Sequence, residues 1–320
     1  MKKGFAIFLL FLLGTFYSCA NQIIDDRIIW KGQPYAAFTS ISHYHGFFYC
    51  AFREANSHCD NMGNDCGVII RVIRSKDGVK WNLYHSFVIK GHDLRDPQLC
   101  ITSNDQLMIT TEDVVYKNQK AIYRNTVAAY KKKRGDFSEL NSLQFTPSVS
   151  WNWLWQPTNI NGTICGFIYC PYFAFVHSKD GRTFEVGEKI DNLPMPTEAS
   201  VAFFNGSLYT IVRTNGKSIL GKSGNGNKWQ WIPLQYEIGC PKLFVYKDKL
   251  FCVGRSYQVQ AKTTIFEIDV VNHLAKITCD LAESKDNAYP GVVVCDNKIY
   301  VTYYSGDGKN SNIHFSEIKI

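Results

Sequence analysis

The heptapeptide Ser75-Lys76-Asp77-Gly78-Val79-Lys80-Trp81 is the pattern on which the fold prediction rests. Serine, aspartate and glycine favour a tight turn, and the tryptophan that follows can pack into a sheet below that turn. A second copy spans Ser178 to Phe184, and a degenerate third copy spans Ser223 to Trp229. Three occurrences of one turn indicate a chain built from repeated β-units.

Between these turns, short apolar runs alternate with turn signals, and no long stretch has helical periodicity. Asn161-Gly162 and Asn205-Gly206 are typical of hairpin turns between strands. Strand patterns recur roughly every 40 to 55 residues, as expected for four-stranded propeller blades. We therefore predict an all-β fold, a six-bladed β-propeller with Asp-box turns, in which Ile23 to Trp30 completes the last blade. A β-sandwich competes with this prediction but explains the repeat less well.

The N-terminus has the pattern of a targeting signal over residues 1–20. Lys2 and Lys3 precede an apolar core from Phe5 to Leu13, and Ser18-Cys19-Ala20 ends it with small residues. Cleavage after Ala20 would release a secreted protein, whereas cleavage before Cys19 would leave a lipid-anchored cysteine. Both routes stay open, and both place the mature chain outside the cytoplasm, either secreted or at a periplasmic or outer surface. Residues 21–320 contain no Pro/Ser-rich linker and are predicted to form a single domain.

Charge and cysteine content restrict the classes of partner. The formal charge of +7 is modest and lies partly in the signal, so nucleic acid is not indicated, while an anionic substrate is compatible. The eleven cysteines show no zinc-type spacing, so we predict neither a metal nor another cofactor. Cys59 and Cys66 flank a polar loop and could pair in an oxidising compartment. We expect a monomer that contacts membrane only through the lipid anchor of the second processing route.

Four further segments resemble the sialidase superfamily, and in particular its poorly characterised secreted bacterial members. Asp93 to Leu99 resembles the Asp-Pro segment of the second sialidase blade, and Pro196 to Ser200 resembles the segment with the catalytic glutamate. Arg213 and Arg255 end strand patterns at positions similar to two sialidase arginines. Asn287 to Gly291 resembles the loop that carries the tyrosine nucleophile. The order Glu, Arg, Arg, Tyr extends over nearly the whole mature chain.

The resemblance implies a glycoside hydrolase, a retaining exo-α-glycosidase that releases a terminal 2-keto-3-deoxy acidic sugar such as sialic acid. Tyr289 would be the nucleophile and Glu198 its base, with Asp60 or Asp65 as the acid, and His58 is a third candidate for that last role. A neutral tyrosine avoids the repulsion that a carboxylate nucleophile would meet from the carboxylate of the sugar. Arg53, Arg213, Arg255 and Asp96 would bind the substrate, the arginines through its carboxylate and Asp96 through a hydroxyl.

One departure from the sialidase pattern leaves other functions open. Sialidases carry an arginine in a Phe-Arg-Ile-Pro segment, and the corresponding stretch Ala37 to Ile41 has none. Arg53, Arg95 or Arg71 could replace it. The alternatives are a non-catalytic carbohydrate-binding propeller, or a hydrolase of a different sugar on the same fold. The alternating residues Trp151, Trp153 and Trp155 would form either core or a sugar-stacking wall at the rim of the pocket.

Overall fold

The computed structural model describes residues 23–31, 34–58, 67–257 and 260–320, and these residues form strands and turns without a helix. The predicted signal peptide, Cys19, Asp60, Asp65 and the Cys59–Cys66 pair all lie outside the described residues. Within those ranges, no helix has the length and hydrophobicity needed to cross a membrane. The all-β prediction is therefore confirmed for the part of the chain that is described.

The strands, in chain order, have the following bounds: β1 (Ile23–Lys31), β2 (Tyr35–Tyr44), β3 (Phe47–Ala55), β4 (Ile69–Ser75), β5 (Asn82–Phe87), β6 (Asp93–Ile101), β7 (Leu107–Lys117), β8 (Lys120–Tyr130), β9 (Asn141–Ser142), β10 (Gln144–Thr146), β11 (Trp153–Ile160), β12 (Thr163–Tyr169), β13 (Ala174–Ser178), β14 (Thr183–Lys189), β15 (Ala199–Phe204), β16 (Ser207–Val212), β17 (Ile219–Ser223), β18 (Gln230–Pro233), β19 (Ile238–Tyr246), β20 (Lys249–Ser256), β21 (Lys262–Asp269), β22 (Leu274–Glu283), β23 (Asp286–Cys295), β24 (Lys298–Gly306) and β25 (Ser311–Ile318).

The strands are arranged as a β-propeller. Strands β6 to β9, β15 to β18 and β19 to β22 form three four-stranded antiparallel sheets, and β10 to β14 form a five-stranded sheet. An eight-stranded sheet has the order β23-β24-β25-β2-β3-β4-β5, with β1 paired to β25. The inner strands β2, β6, β11, β15, β19 and β23 each contact the next one, and β23 contacts β2, so they enclose a common centre.

Hydrogen bonding among the described strands gives five sheets, which differs from the predicted set of six separate blades. The difference arises at one parallel pair, Tyr35 with Ser311, which joins β2 to β25 and merges two groups of strands into one sheet. The number of blades is therefore not confirmed by the pairing alone. The first strand does join the last strands, as predicted, since β1 runs antiparallel to β25 from Ile23–Ile318 to Lys31–Asn312.

The three Ser-x-Asp-Gly-type turns share a hydrogen-bond pattern, and each connects two consecutive strands that pair with each other: β4 to β5, β13 to β14 and β17 to β18. In the first, Ser75 Oγ accepts a hydrogen bond from the Gly78 N–H at 2.9 Å, and Asp77 Oδ1 accepts from the N–H groups of Val79 and Lys80 at 2.8 and 2.9 Å. Trp81 Nε1 donates to the Gly78 carbonyl at 3.0 Å. The turn therefore supplies its own polar partners and directs an aromatic ring towards the sheet.

The core lies between the faces of neighbouring sheets. In one such layer, Phe167 and Phe175 from β12 and β13 pack with Val201 and Leu208 from β15 and β16. Comparable clusters fill the other inter-sheet spaces, and a smaller one near the centre contains Trp153, Trp155 and Cys240. This packing holds the inner strands in place around the centre, where the candidate site lies.

Candidate active site

Five of the six inner strands named above carry a β-bulge in which one unpaired residue has a positive φ angle. These residues are Phe38 (61°) on β2, Asp96 (48°) on β6, Gln156 (43°) on β11, Cys240 (43°) on β19 and Tyr289 (47°) on β23. Positive φ is costly for residues other than glycine, and such strain concentrates at functional sites. A bulge also redirects a side chain out of the regular alternation of its strand. The sixth inner strand, β15, begins directly after Glu198.

Tyr289 and Glu198 form a hydrogen-bonded pair. Tyr289 Oη donates to Glu198 Oε1 at 2.7 Å. The other carboxylate oxygen, Oε2, accepts from Arg213 Nη1 at 3.0 Å and from the Cys240 backbone N–H at 2.7 Å. The glutamate is buried, so these three donors fix the orientation of its carboxylate. The pair has the geometry required of a nucleophile next to its base.

The surroundings of Tyr289 keep its phenol neutral at rest. Its ring packs edge-on against Phe38 and Trp155, with centroids 4.6 and 5.9 Å away. Burial raises the pKa of Tyr289 well above its usual value, and the negative charges of Glu198 and Asp96 raise the pKa further, while Arg255 lowers it. Proton transfer to a base must therefore accompany any attack by this oxygen.

Arg255 lies beside Tyr289, with its guanidinium carbon 5.6 Å from the centre of the tyrosine ring. Its Nε donates to the Asn287 carbonyl at 2.8 Å, and its Nη2 donates to Asp286 Oδ1 at 3.0 Å and to Tyr304 Oη at 2.8 Å. Asp286, which sequence reasoning missed, is thus the anchor that orients Arg255. With Arg213 on Glu198, two of the predicted substrate arginines flank the Tyr289–Glu198 pair.

Asp96 is half-buried and lies near enough to the pair to influence it. Burial raises the pKa of Asp96 to about 7, with Glu198 and Asp93 raising the pKa further and Arg95 and Arg53 opposing them. No described residue forms a hydrogen bond or ion pair with its carboxyl group. At neutral pH this group therefore exists in both protonation states and can accept from or donate to a ligand hydroxyl.

The raised pKa of Asp96 predicts a pH-dependent cost to stability. Between pH 4 and 7 the unfolded chain, with an aspartate pKa near about 3.9, has lost this proton while the folded chain retains it. Rising pH then favours the unfolded state. We expect Asp96→Asn to be more stable than wild type above pH 7, with the difference vanishing near pH 4, as measured by urea unfolding at several pH values. The same substitution at exposed Asp136 is the control, and equal pH profiles for the Asp96 variant and wild type would contradict the prediction.

The structure corrects the assignment of Arg53 as a substrate-binding residue. Its side chain is completely buried, and Nη2 and Nε donate to Asp93 Oδ1 at 2.9 and 3.2 Å. Nη1 donates to the Ser57 carbonyl at 3.3 Å. Because the guanidinium is buried, it cannot contact a ligand. Asp93, forty residues further along the chain, binds it instead.

The two other candidates for the missing arginine each pair with a carboxylate, as Arg213 and Arg255 also do. Arg95 Nε donates to Asp93 Oδ2 at 2.6 Å, and Arg71 Nε donates to Glu54 Oε2 at 2.6 Å. The bulge on β2 instead presents Phe38, whose ring contacts that of Tyr289. Asp60 and Asp65 lie outside the described residues, so their proposed roles stay predictions. The ring of His58, the third acid candidate, packs edge-on against Phe38 and Tyr35.

Cys240 is the main site residue that sequence reasoning missed. Its backbone N–H binds Glu198, and its Sγ accepts a hydrogen bond from the Tyr289 N–H at 3.2 Å, so it connects both members of the pair. The sequence did contain a feature shared by these bulged positions, because four of the five bulged residues precede a proline. These dipeptides are Asp96-Pro97, Gln156-Pro157, Cys240-Pro241 and Tyr289-Pro290.

A cavity of about 620 Å³ opens onto the Glu198–Arg213 pair. Tyr169, Met195, Thr197, Asn215 and Glu237 also line it. A volume of this size is typical of small-molecule sites, which lie within about 300 to 1,000 Å³. In the described part of the chain, no cluster of His, Cys, Asp and Glu is placed to hold a metal ion.

Solved structures with the same architecture support the resemblance. Trypanosoma rangeli sialidase superposes with a TM-score of 0.69 at 11% identity, over 92% of this chain and 59% of that one. The NanB sialidase of Streptococcus pneumoniae gives 0.65 at 10% identity, over 92% and 70%. The chain has a sialidase-like fold. It spans about three fifths of the length of the trypanosome enzyme.

The sialidase-like fold also matches an enzyme with another activity. The α-L-arabinanase of Penicillium chrysogenum, solved with arabinobiose, gives a TM-score of 0.65 at 12% identity, over 92% of this chain and 98% of that one. No protein-family model matches the chain, and no curated protein matches it by sequence. The comparisons therefore show the fold of this chain, and a function has to be argued from the residues of the site.

Proposed function

We propose that this protein is a retaining exo-α-glycosidase that releases a terminal 2-keto-3-deoxy acidic sugar. The observation that carries the proposal is the 2.7 Å hydrogen bond from Tyr289 Oη to Glu198 Oε1, with Arg213 and Arg255 on either side. A tyrosine paired with a buried glutamate suits a substrate whose anomeric carbon carries a carboxylate, since the neutral phenol is not repelled by it. We also propose that the eight-stranded sheet acts as two blades, which makes six around the site, and that the protein acts outside the cytoplasm.

In the first step of the proposed reaction, Tyr289 Oη attacks the anomeric carbon as Glu198 takes the phenolic proton. The bond to the leaving oxygen breaks, and a carboxylic acid, Asp60 or Asp65, protonates that oxygen. In the second step, water attacks the anomeric carbon and gives a proton to the same aspartate, while the bond from that carbon to Tyr289 Oη breaks. The phenolate leaves and recovers its proton from Glu198. Arg213 and Arg255 bind the carboxylate of the sugar, and Asp96 binds a hydroxyl.

Replacing Glu198 with glutamine tests the base in this scheme. Glutamine retains the shape and can still contact Arg213, but it cannot accept the phenolic proton, so we expect kcat to fall about 10²-fold. The assay is hydrolysis of fluorogenic α-glycosides of N-acetylneuraminic acid, its deaminated analogue and the eight-carbon acid. Exposed Glu139→Gln is the control, and full activity of the Glu198 variant would exclude Glu198 as the base.

A hydrolase of a neutral sugar is the second candidate. Two observations favour it: the stretch Ala37 to Ile41, which corresponds to the arginine-bearing sialidase segment, contains no arginine, and the arabinanase matches over nearly its whole length. An α-L-arabinofuranoside added to the same panel separates the two. Turnover of the arabinoside without turnover of any acidic sugar would favour the second candidate over the first.

A further inference from the structure

A second cavity, of about 560 Å³, lies beside the cavity of about 620 Å³ at Glu198 and Arg213, which we call the catalytic cavity. We call it the Trp151 pocket and define it by Arg124, Trp151, Cys170, Tyr172, Lys189 and Asp191, which all line it. Tyr169 lines both cavities. The segment before β15 separates them, because Leu193 and Pro196 face the Trp151 pocket while Met195 and Thr197 face the catalytic cavity. The two cavities are therefore neighbours that share one wall.

Of the three alternating tryptophans, only Trp151 lines the Trp151 pocket. Trp153 and Trp155 are buried, as core residues of the central cluster. Trp151 instead precedes β11 and is 41% exposed at the pocket. Trp153 stacks on Tyr169, with centroids 5.4 Å apart and planes 17° apart, which holds the shared wall in place. The apolar face of a sugar ring can cover an exposed indole in such a setting.

Arg124 supplies a cationic group that forms no ion pair within the described residues, although its charge lowers the pKa of buried Glu112. Its Nη1 donates to Cys170 Sγ at 3.2 Å, which is a weak acceptor, and its guanidinium lies 4.9 Å over the ring of Trp153. Its Nε is buried and has no hydrogen-bond partner among the described residues. Arg53, Arg213 and Arg255 each pair with a carboxylate, whereas no described carboxylate forms an ion pair with Arg124. The other N–H groups of this guanidinium, unlike the buried Nε, can donate to hydroxyl groups of a sugar bound in the pocket.

We propose that the Trp151 pocket binds the leaving-group saccharide of the substrate, with Trp151 stacking on a sugar ring and Arg124 donating to its hydroxyls. This inference rests on the proposed function, since a leaving group exists only if the neighbouring cavity cleaves a glycosidic bond. It predicts that the enzyme prefers oligosaccharide substrates to simple alkyl glycosides of the same acidic sugar.

The test compares 3′-sialyllactose with methyl α-N-acetylneuraminide, measuring the released acid. We expect Trp151→Ala to lower the ratio of kcat/KM for the first substrate to kcat/KM for the second about tenfold, equivalent to about 1.4 kcal/mol. Phe203→Ala is the control, because Phe203 is also 41% exposed but does not line either cavity, and it should leave the ratio unchanged. An unchanged ratio in the Trp151 variant would overturn the proposal, whether the two kcat/KM values stay the same or fall by the same factor.

A binding experiment separates failure of the pocket from failure of the proposed activity. If wild type cleaves neither glycoside, lactose alone is titrated into wild type and Trp151→Ala and followed by saturation-transfer NMR. Binding to wild type that is lost in the variant would support a saccharide site at Trp151 independently of the reaction. No binding to wild type, or equal binding to both proteins, would overturn it.

Discussion

Tyr289→Phe is expected to lower kcat at least about 10³-fold, because it removes the oxygen that forms the bond to the sugar. The substitution deletes one atom and retains the ring that packs against Phe38 and Trp155. Substrate binding through Arg213 and Arg255 should persist, so KM should change far less than kcat. The measurement is steady-state hydrolysis of the acidic sugar that the glycoside panel identifies.

Tyr246→Phe is the matched control for this variant. Tyr246 is buried, and its hydroxyl donates to the Asn297 carbonyl at 2.9 Å, yet it lies in an inter-sheet core cluster that does not include Tyr289. The control should retain nearly full activity. If Tyr289→Phe were as active as wild type, Tyr289 would contribute only packing to the site and the tyrosine mechanism would be wrong.

Asp93→Ala is expected to destabilise the fold by about 3 to 5 kcal/mol, because removing one partner of a buried ion pair leaves the other charge uncompensated. Asp93 binds Arg53 through Oδ1 and Arg95 through Oδ2, and Arg53 has no exposed surface. The free energy of unfolding in urea measures this effect. The cluster joins β3 to β6, so its loss should also loosen the sheet that carries Asp96.

Asp105→Asn is the control for the buried cluster, because asparagine tolerates the φ of 54° at this position better than alanine does. Asp105 pairs with His45 at 2.7 Å, but both side chains are well exposed, so the loss should stay within about 1 kcal/mol. A destabilisation of the Asp93 variant as small as that of the Asp105 variant would show that the Arg53 cluster does not support the fold as described.

The features that the sequence predicts well depend on residues close together in the chain. At Asn205-Gly206 both residues have positive φ, 45° and 75°, as a two-residue hairpin requires, and β16 starts at the next residue. The Ser75–Trp81 turn forms through hydrogen bonds that span two or three residues. Local chemistry determines these elements, so an isolated sequence is enough to recognise them.

The features that the sequence does not predict depend on partners distant in the chain. In the sequence alone, Arg53 resembles a ligand-binding arginine because it lies near the end of a strand. Only the fold shows that Asp93 lies next to it and binds it. The single Tyr35–Ser311 pair, which merges two groups of strands, joins opposite ends of the chain. Four of the five bulged residues precede a proline in the sequence, but only the closed ring of inner strands shows that they converge on one centre.

Covalent trapping tests the tyrosine nucleophile most directly. Trypanosoma rangeli sialidase has been solved with 2,3-difluorosialic acid as a covalent intermediate. The same compound, or the difluoro derivative of whichever acidic sugar is hydrolysed, is incubated with wild type and Tyr289→Phe, and the adduct is located by peptide mass spectrometry. We expect one sugar adduct on Tyr289 in wild type and none in the variant. An adduct on Glu198 or another carboxylate, or one that persists in the variant, would contradict the proposed mechanism.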